Sequence, residues 1–311
     1  MNRTSIEWTN ALPGVPGFSW NPVKGCTKIS PACTNCYAER MAHRLAGMGA
    51  PGYDEDDPFK VVCMKDRLTE PSRYTVGGIV FVVSMGDWLH ADVEDWFIVR
   101  MLVAMHEAPQ HFFLTLTKRA ERLRELPRIA SDAGVPWPLP NVGLGVTAEN
   151  QEMADQRVPH LLRVPAELRF LSIEPMLSPV DLWRFKIGHE YDGEGAPYYD
   201  ALRGASFWSN GEHGIGGGPT IDWVLCGGES GPGARPMHPE WARSLLSHCS
   251  DYTHTPFLFK QWGEHRPSFR GTTQEYIGSA KVGKKAAGRL LDGVEHNGVP
   301  EIIQQHFRGQ R

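Results

Sequence analysis

The sequence predicts an α/β protein built as a partial (β/α)6, TIM-like barrel of mostly parallel strands. Three observations lead there. Short apolar runs rich in β-branched and aromatic residues recur along the chain, as strands buried on both faces do. Stretches with helical spacing lie between them, and strands separated by helices pair in parallel through right-handed crossovers. Each run is also followed within a few residues by a charged group, as happens where the C-terminal ends of barrel strands carry chemistry. A doubly wound open sheet is the alternative architecture.

In chain order, Phe18-Ser-Trp-Asn-Pro22 reads as a first strand ahead of a cysteine-bearing loop. The following strands are Ile79 to Ser84, His111 to Thr117, Val142 to Val146, Arg169 to Ile173, Trp223 to Cys226 and Phe257 to Lys260. Between them, Asp92 is placed to cap a helix with Val93, Trp96, Phe97, Met101, Ala104 and Met105 on one face. A helix from Ala120 to Leu126 is expected to stop at Pro127. Asn150 caps a helix over Gln151 to Arg157, and Pro239 to His248 is amphipathic. Residues 184–220, rich in Gly and aromatics, break the rhythm and read either as a mobile insertion near the site opening or as disorder with no role. The expected organisation is one domain: residues 1–183 begin the barrel, 184–220 are inserted, and 221–311 complete it with a basic segment.

At 311 residues and 41% hydrophobic, the chain can bury a large core. No run of about eighteen apolar residues is present, so no membrane span is expected. The opening Met-Asn-Arg-Thr-Ser-Ile-Glu-Trp lacks the apolar stretch of a signal peptide, which points to a reducing cytoplasm. A formal net charge of -4 gives no global electrostatic case for nucleic acid. The charge is uneven: residues 260–311 hold nine Lys/Arg against five Asp/Glu, net +4, which leaves -8 for residues 1–259. That basic segment could contact phosphate or simply be a solvated surface.

Cys26, Cys33 and Cys36 form a C-x6-C-x2-C loop punctuated by Gly25 and Pro31. Three thiolates can hold a metal centre and leave one coordination position for another ligand. In an iron–sulfur cube, three irons are then fixed by protein and one stays open. Zinc is the competing reading, with His43 completing a Cys3His site, and a non-catalytic binding module stabilised by zinc or by a cluster is the alternative function. Six cysteines in 311 residues are too few for a disulfide scaffold.

The strand ends supply the other candidates. Gly86-Asp87, Lys118-Arg119, Glu149-Asn150, Glu174-Pro175, Gly227-Gly228-Glu229-Ser230-Gly231 and Lys260-Gln261 all follow strands and are expected to share a polar mouth. Gly86, Asp87, Gly227, Gly228, Glu229 and Ser230 are the candidate cofactor-binding residues. The glycines would let a ligand approach the backbone and leave amides free for a carboxylate or phosphate. Glu149, Glu174 and Lys118 are the catalytic candidates, and acids in that ring also admit a metal-independent hydrolase. Cys63 and Cys249 read as buried or incidental, Cys226 as core thiol or site wall, and His90 and His106 as satisfied polar residues.

Several segments carry a family resemblance: Ser5-Ile-Glu-Trp-Thr-Asn10, Trp20 through Cys26 to Met41, Gly227-Gly-Glu-Ser-Gly-Pro with Ala234-Arg-Pro-Met237, and Val282 to Asp292. With them the chain resembles radical-SAM-like proteins with a three-cysteine motif, found largely in bacteriophages and bacteria and carrying a domain of unknown function. It is more distantly similar to spore photoproduct lyase. The resemblance implies a 4Fe–4S cluster on Cys26, Cys33 and Cys36, with S-adenosylmethionine on the open iron. It further implies reductive cleavage of that cofactor to a 5′-deoxyadenosyl radical, a reductant protein as electron donor, and modification or repair of nucleic acid. The location implied is the cytoplasm, that of the host if the protein is phage-encoded.

The chain departs from the usual radical-SAM signature, C-x3-C-x2-C, in having six residues between its first two cysteines. Asn35 stands where an aromatic commonly precedes the last cysteine, and the Gly-Gly-Glu segment comes late in the chain. Cluster ligation therefore carries over from the family, whereas its amino-binding role does not pass to Glu229.

Overall fold

Trp20, Phe112, Phe113, Phe170, Trp223 and Phe259 are fully buried, and every one of them lies in a strand. Each such side chain contributes about 1.5–3 kcal/mol by leaving water. The computed structural model describes residues 1–185, 198–207, 216–251, 253–271 and 275–309.

β1 (Asn2–Arg3) pairs antiparallel with β2 (Gly17–Trp20). A second antiparallel pair, β3 (Val23–Lys24) with β4 (Val62–Cys63), encloses α1 (Tyr37–Ala46). Strands and helices then alternate through β5 (Ile79–Val82), α2 (Asp95–His106), β6 (Phe112–Thr117) and α3 (Leu126–Asp132). The series continues with β7 (Val142–Thr147), α4 (Gln151–Leu162) and β8 (Leu168–Ile173). After a short hairpin, β9 (Tyr198–Asp200) and β10 (Ala205–Phe207), come β11 (Trp223–Gly227), α5 (Pro239–Asp251) and β12 (Phe257–Gln261). The last elements are the hairpin β13 (His265–Arg270) and β14 (Glu275–Lys281), then α6 (Lys284–Ala287) and α7 (Glu301–Arg308).

Eight strands make one sheet in the order β1-β2-β5-β6-β7-β8-β11-β12. The ladders β2–β5, β5–β6, β6–β7, β8–β11 and β11–β12 are parallel, and β1 is an antiparallel edge. Strand order follows chain order without the reversal that a doubly wound sheet requires. The fold class is therefore the expected one, a mostly parallel α/β sheet of the singly wound, partial TIM-like kind. All of β7 and β11 is buried, as strands covered on both faces must be.

Several local expectations need correcting. α2 starts at Asp95 rather than after Asp92, because the Asp92 amide donates to His90 Nδ1 (3.1 Å) and residues 90–93 form a turn. Its buried side chains are Phe97, Ile98, Met101, Leu102 and Met105. Trp96 lies outside, donating to the Glu94 carboxylate (3.0 Å), and Ala104 is only half-buried. Pro127 does not end a helix. It stands in the first turn of α3, where its missing N–H has no partner to lose, behind a 3-10 turn over Ala120–Glu125. Asn150 caps α4 as expected, accepting from the Met153 amide at 2.8 Å, but the helix runs past Arg157 through Pro159. Buried Val158, Leu161 and Leu162 hold that last stretch down. The supposedly irregular 184–220 segment contains the β9–β10 hairpin, and its residues 186–197 and 208–215, including the run from His189 to Pro197, lie outside the described residues.

The chain divides into two compact units. One comprises residues 1–146, 164–168 and 301–311; it holds the cysteine loop and β1 to β7 up to Val146. The other comprises residues 147–163 and 169–300; it holds α4, most of β8, and everything from there through α6. No helix among the described residues is long and apolar enough to cross a membrane.

Candidate metal centre and strand-end groups

The first unit carries the three cysteines on an excursion that leaves and rejoins the fold at the β3–β4 pair. Its neck is closed by backbone bonds: Gly25 N to Met85 O (2.9 Å), Cys26 N to Phe59 O (3.1 Å) and Met64 N to Pro22 O (2.7 Å). Gly25 has φ +79, and a Cβ there would sit 2.0 Å from the Lys60 carbonyl, so only glycine fits. A Cβ on Gly86 would approach the Gly25 carbonyl to 2.6 Å, so this candidate cofactor glycine serves the close passage of two chain segments. Cys33 ends a 3-10 turn over Pro31–Cys33, and Cys36 immediately precedes α1.

All three thiols are unbridged and half-buried. Burial pushes the Cys33 thiol up, but a backbone hydrogen bond at Ile29, the Lys118 charge and contacts with Ser30 outweigh it, and the net shift is downward. Cys26 goes the other way: burial and the Asp87 charge push it up against the opposing influence of Arg119. Cys33 acts on Cys26 in the same upward sense, so the two sulfurs lie within electrostatic reach. Among the described residues no three His, Cys, Asp or Glu side chains are gathered to hold a metal ion, His43 with the thiols included. The donor set itself, three free sulfurs in one loop beside cationic groups, is chemically suited to iron or zinc.

Asp87 and Arg119 build the wall of this site. Asp87 is buried at the end of β5 and accepts four hydrogen bonds: Leu89 N (3.1 Å), Thr117 Oγ1 (2.7 Å), Lys118 N (3.1 Å) and Arg119 Nη1 (3.1 Å). Its carboxylate is thus committed to protein donors. Arg119, also buried, reaches across to the cysteine loop, donating from Nη1 to Cys26 Sγ (3.2 Å) and from Nη2 to Thr27 O (3.1 Å) and Thr27 Oγ1 (2.8 Å). His90 closes the ring, with Nε2 2.9 Å from Thr27 Oγ1. Burial and then the Arg119 charge hold His90 below the ordinary imidazole value, so it is neutral at pH 7. Thr27 and His90 have no sequence signal of their own; the parallel ladder brings β5 and β6 side by side and so sets Asp87 next to Arg119.

The second unit gathers the remaining strand-end candidates. Glu149 pairs with Arg157 Nη1 (2.9 Å), which also donates to Thr147 O (2.9 Å). Glu174 at the end of β8 holds Lys260 Nζ (2.7 and 2.8 Å) and Gln261 Nε2 (3.2 Å) from β12. Glu229 takes a two-pronged bond from Arg235, Nε to Oε2 (2.8 Å) and Nη2 to Oε1 (2.6 Å), and also the Arg235 amide (2.7 Å). Ser230 Oγ accepts from Gln261 Nε2 (3.3 Å).

The expectation of free amides does not hold at Gly228 or Gly231. Gly228 N donates to Gln261 O (2.8 Å) and Gly231 N to Glu264 Oε1 (2.9 Å). A Cβ on Gly228 would lie 2.1 Å from the Trp262 carbonyl, so that glycine admits another stretch of chain. Gly227 differs: its nearest neighbours are Glu174 side-chain atoms at 3.4 Å. The acids here are paired. The arginines that pair them, Arg157 and Arg235, carry no site signal in the sequence, because each lies a turn or more away from its partner.

Outside these groups, Cys63 is half-buried in β4 rather than buried, while Cys226 and Cys249 are core thiols. His106 is exposed at the end of α2. Of the basic segment, Lys281, Lys284 and Lys285 are exposed, and Lys260, Arg270, Arg289 and Arg308 are in ion pairs.

A family model described as a protein of unknown function (DUF5131) matches residues 3–300. No curated protein and no solved structure matches the chain.

Proposed function

The chain belongs to the DUF5131 family of proteins of unknown function, so its role rests on its own residues, and we propose that it is a radical-SAM-like iron–sulfur protein. In this reading Cys26, Cys33 and Cys36 hold a 4Fe–4S cluster, leaving one iron open to S-adenosylmethionine. The observation that carries it is the set of three unbridged, half-buried thiols on one loop beside Lys118 and Arg119. The Lys118 charge favours the thiolate of Cys33, the form that ligates iron, whereas burial and the Asp87 charge act against it at Cys26.

Held by Cys26, Cys33 and Cys36, such a cluster would supply one-electron reduction, with a reductant protein as the electron source, to cleave the sulfonium C–S bond of S-adenosylmethionine and so enable hydrogen abstraction from a substrate. The chain's own residues have defined tasks around it. Lys118 sets a positive charge near the Cys33 sulfur, Arg119 ties Cys26 and Thr27 to the end of β6, and Asp87 keeps Arg119 from turning away. Exposed Lys281, Lys284 and Lys285 favour a phosphate-bearing substrate, and we assign nucleic acid as its class.

The test is anaerobic purification with absorption spectra and assays of iron, sulfide and zinc, followed by incubation with S-adenosylmethionine and a strong reductant. The expected result is a brown protein with about four irons that releases 5′-deoxyadenosine. Replacing Cys26, Cys33 or Cys36 with serine should strip the iron. A colourless protein carrying about one zinc would replace this reading with a structural, non-catalytic module. A full cluster without cofactor cleavage would remove the enzymatic part alone.

A further inference from the structure

We propose that Arg119 is a positioning residue that tunes the metal centre, by donating a hydrogen bond to the sulfur of Cys26 while that sulfur ligates iron. The proposal rests on the cluster reading above and names a control built into the same site.

Four contacts define the role. Arg119 Nη1 is shared between Cys26 Sγ (3.2 Å) and Asp87 Oδ2 (3.1 Å), and Nη2 between Thr27 O (3.1 Å) and Thr27 Oγ1 (2.8 Å). A planar fork satisfies both sides at once, which a lysine point charge cannot do. The guanidinium is also fixed from behind. Asp87 is itself held by Leu89 N (3.1 Å), Thr117 Oγ1 (2.7 Å) and Lys118 N (3.1 Å), and the Arg119 amide donates to Thr117 Oγ1 (2.9 Å). At 7% exposure Arg119 has little access to water, so the donor aimed at sulfur is not exchanged for solvent.

The sign of the effect follows from charge. Reduction adds an electron to the cluster, and an N–H donor with a full positive charge stabilises the more negative state better than the less negative one. The reduction potential therefore rises with the bond and falls without it. Cys33 and Cys36 have no such arginine contact among the described residues, so of the three sulfurs only that of Cys26 receives a guanidinium hydrogen bond.

The reconstituted, full-length protein, labelled with 15N only in arginine, is reduced and examined by pulsed electron paramagnetic resonance. A weak 15N coupling is expected in the unsubstituted protein and is expected to vanish in Arg119→Lys. Arg119→Lys should retain its fold and show a lower midpoint potential in a redox titration. Should Arg119→Lys fail to fold, the coupling in the unsubstituted protein still decides. A cluster-bearing protein with no 15N coupling, or an Arg119→Lys cluster with unchanged potential, overturns the proposal and leaves the cluster reading standing. An unsubstituted protein that binds no iron brings down both.

Discussion

Arg157 Nη1 lies 2.9 Å from Glu149 Oε2 in a pair closed to water, with side-chain exposures of 5% and 0%. Glu149 stands among the candidate acids, just past the end of β7. Its charge is neutralised by a residue two turns into α4, and that same arginine ties down the Thr147 carbonyl (2.9 Å). The pair joins a strand end to the helix that follows.

Glu149→Ala leaves the Arg157 charge buried without its carboxylate, a loss that typically costs about 3–5 kcal/mol. The expected result is a marked drop in the urea midpoint of the metal-free protein. Replacing both residues with leucine should recover much of it, because no charge is then stranded. A Glu149→Ala protein as stable as the parent would show that the pair holds nothing together.

Gly227 and Gly228 are neighbours in sequence with opposite tolerances. Gly228→Ala would bring a methyl 2.1 Å from the Trp262 carbonyl, so backbone must shift; Gly227→Ala would meet only Glu174 side-chain atoms at 3.4 Å. Thermal melts should show a loss of about 1–3 kcal/mol for the first and under about 1 kcal/mol for the second. Equal losses at the two positions would contradict the packing.

Stability should fall in mild acid through His111. Its Nε2 is 3.2 Å from the Pro71 carbonyl, and burial holds it below the ordinary imidazole value, as it does His306 nearby. The folded state then binds this proton less well than the unfolded chain. The contribution is complete above the unfolded value of about 6.5 and is lost as pH drops below it. Melting temperature should decline from about pH 7 to pH 5, with a shallower decline in His111→Gln. An identical slope in the variant would exclude His111 as the cause.

Thiol accessibility separates the cysteines without reference to metal. Cys226 and Cys249 are fully buried, and burial pushes both thiols up, that of Cys249 to about 12. Brief alkylation of the native, metal-free protein followed by mass spectrometry should label Cys26, Cys33, Cys36 and Cys63 and spare the other two. Labelling of Cys226 before unfolding would contradict its place in β11.

The strands are legible in the sequence because their signal is local. Continuous apolar runs such as Val142 to Val146 and Trp223 to Cys226 suit little besides a strand covered on both faces, and sequential pairing follows from the helices between them. Helix starts are less legible: nothing near Asp92 announces that its amide will be taken by the His90 ring. The β3–β4 pair, two residues on each side, is too short for any period to register. In the site, the cysteines declare themselves by spacing, whereas Arg119 shows only as a basic residue after a strand. Its sulfur partner is 93 positions away, a relationship that exists only once β5 and β6 are paired. The Gly227-Gly228 loop misleads because glycine looks the same in sequence whether it admits a ligand or another piece of chain.

The neck of the cysteine excursion makes its three thiols mechanically unequal. Cys26 is clamped at the root, by its own amide on Phe59 and by Arg119 at its sulfur, while Cys33 and Cys36 lie seven and ten positions farther out. Those two are held by other means: the Cys33 amide donates to Ser30 O (2.9 Å), and the Cys36 carbonyl accepts from Arg40 N (3.3 Å) at the head of α1. The long first spacing thus separates a sulfur anchored to the body of the fold from two anchored to the turn and helix beyond it.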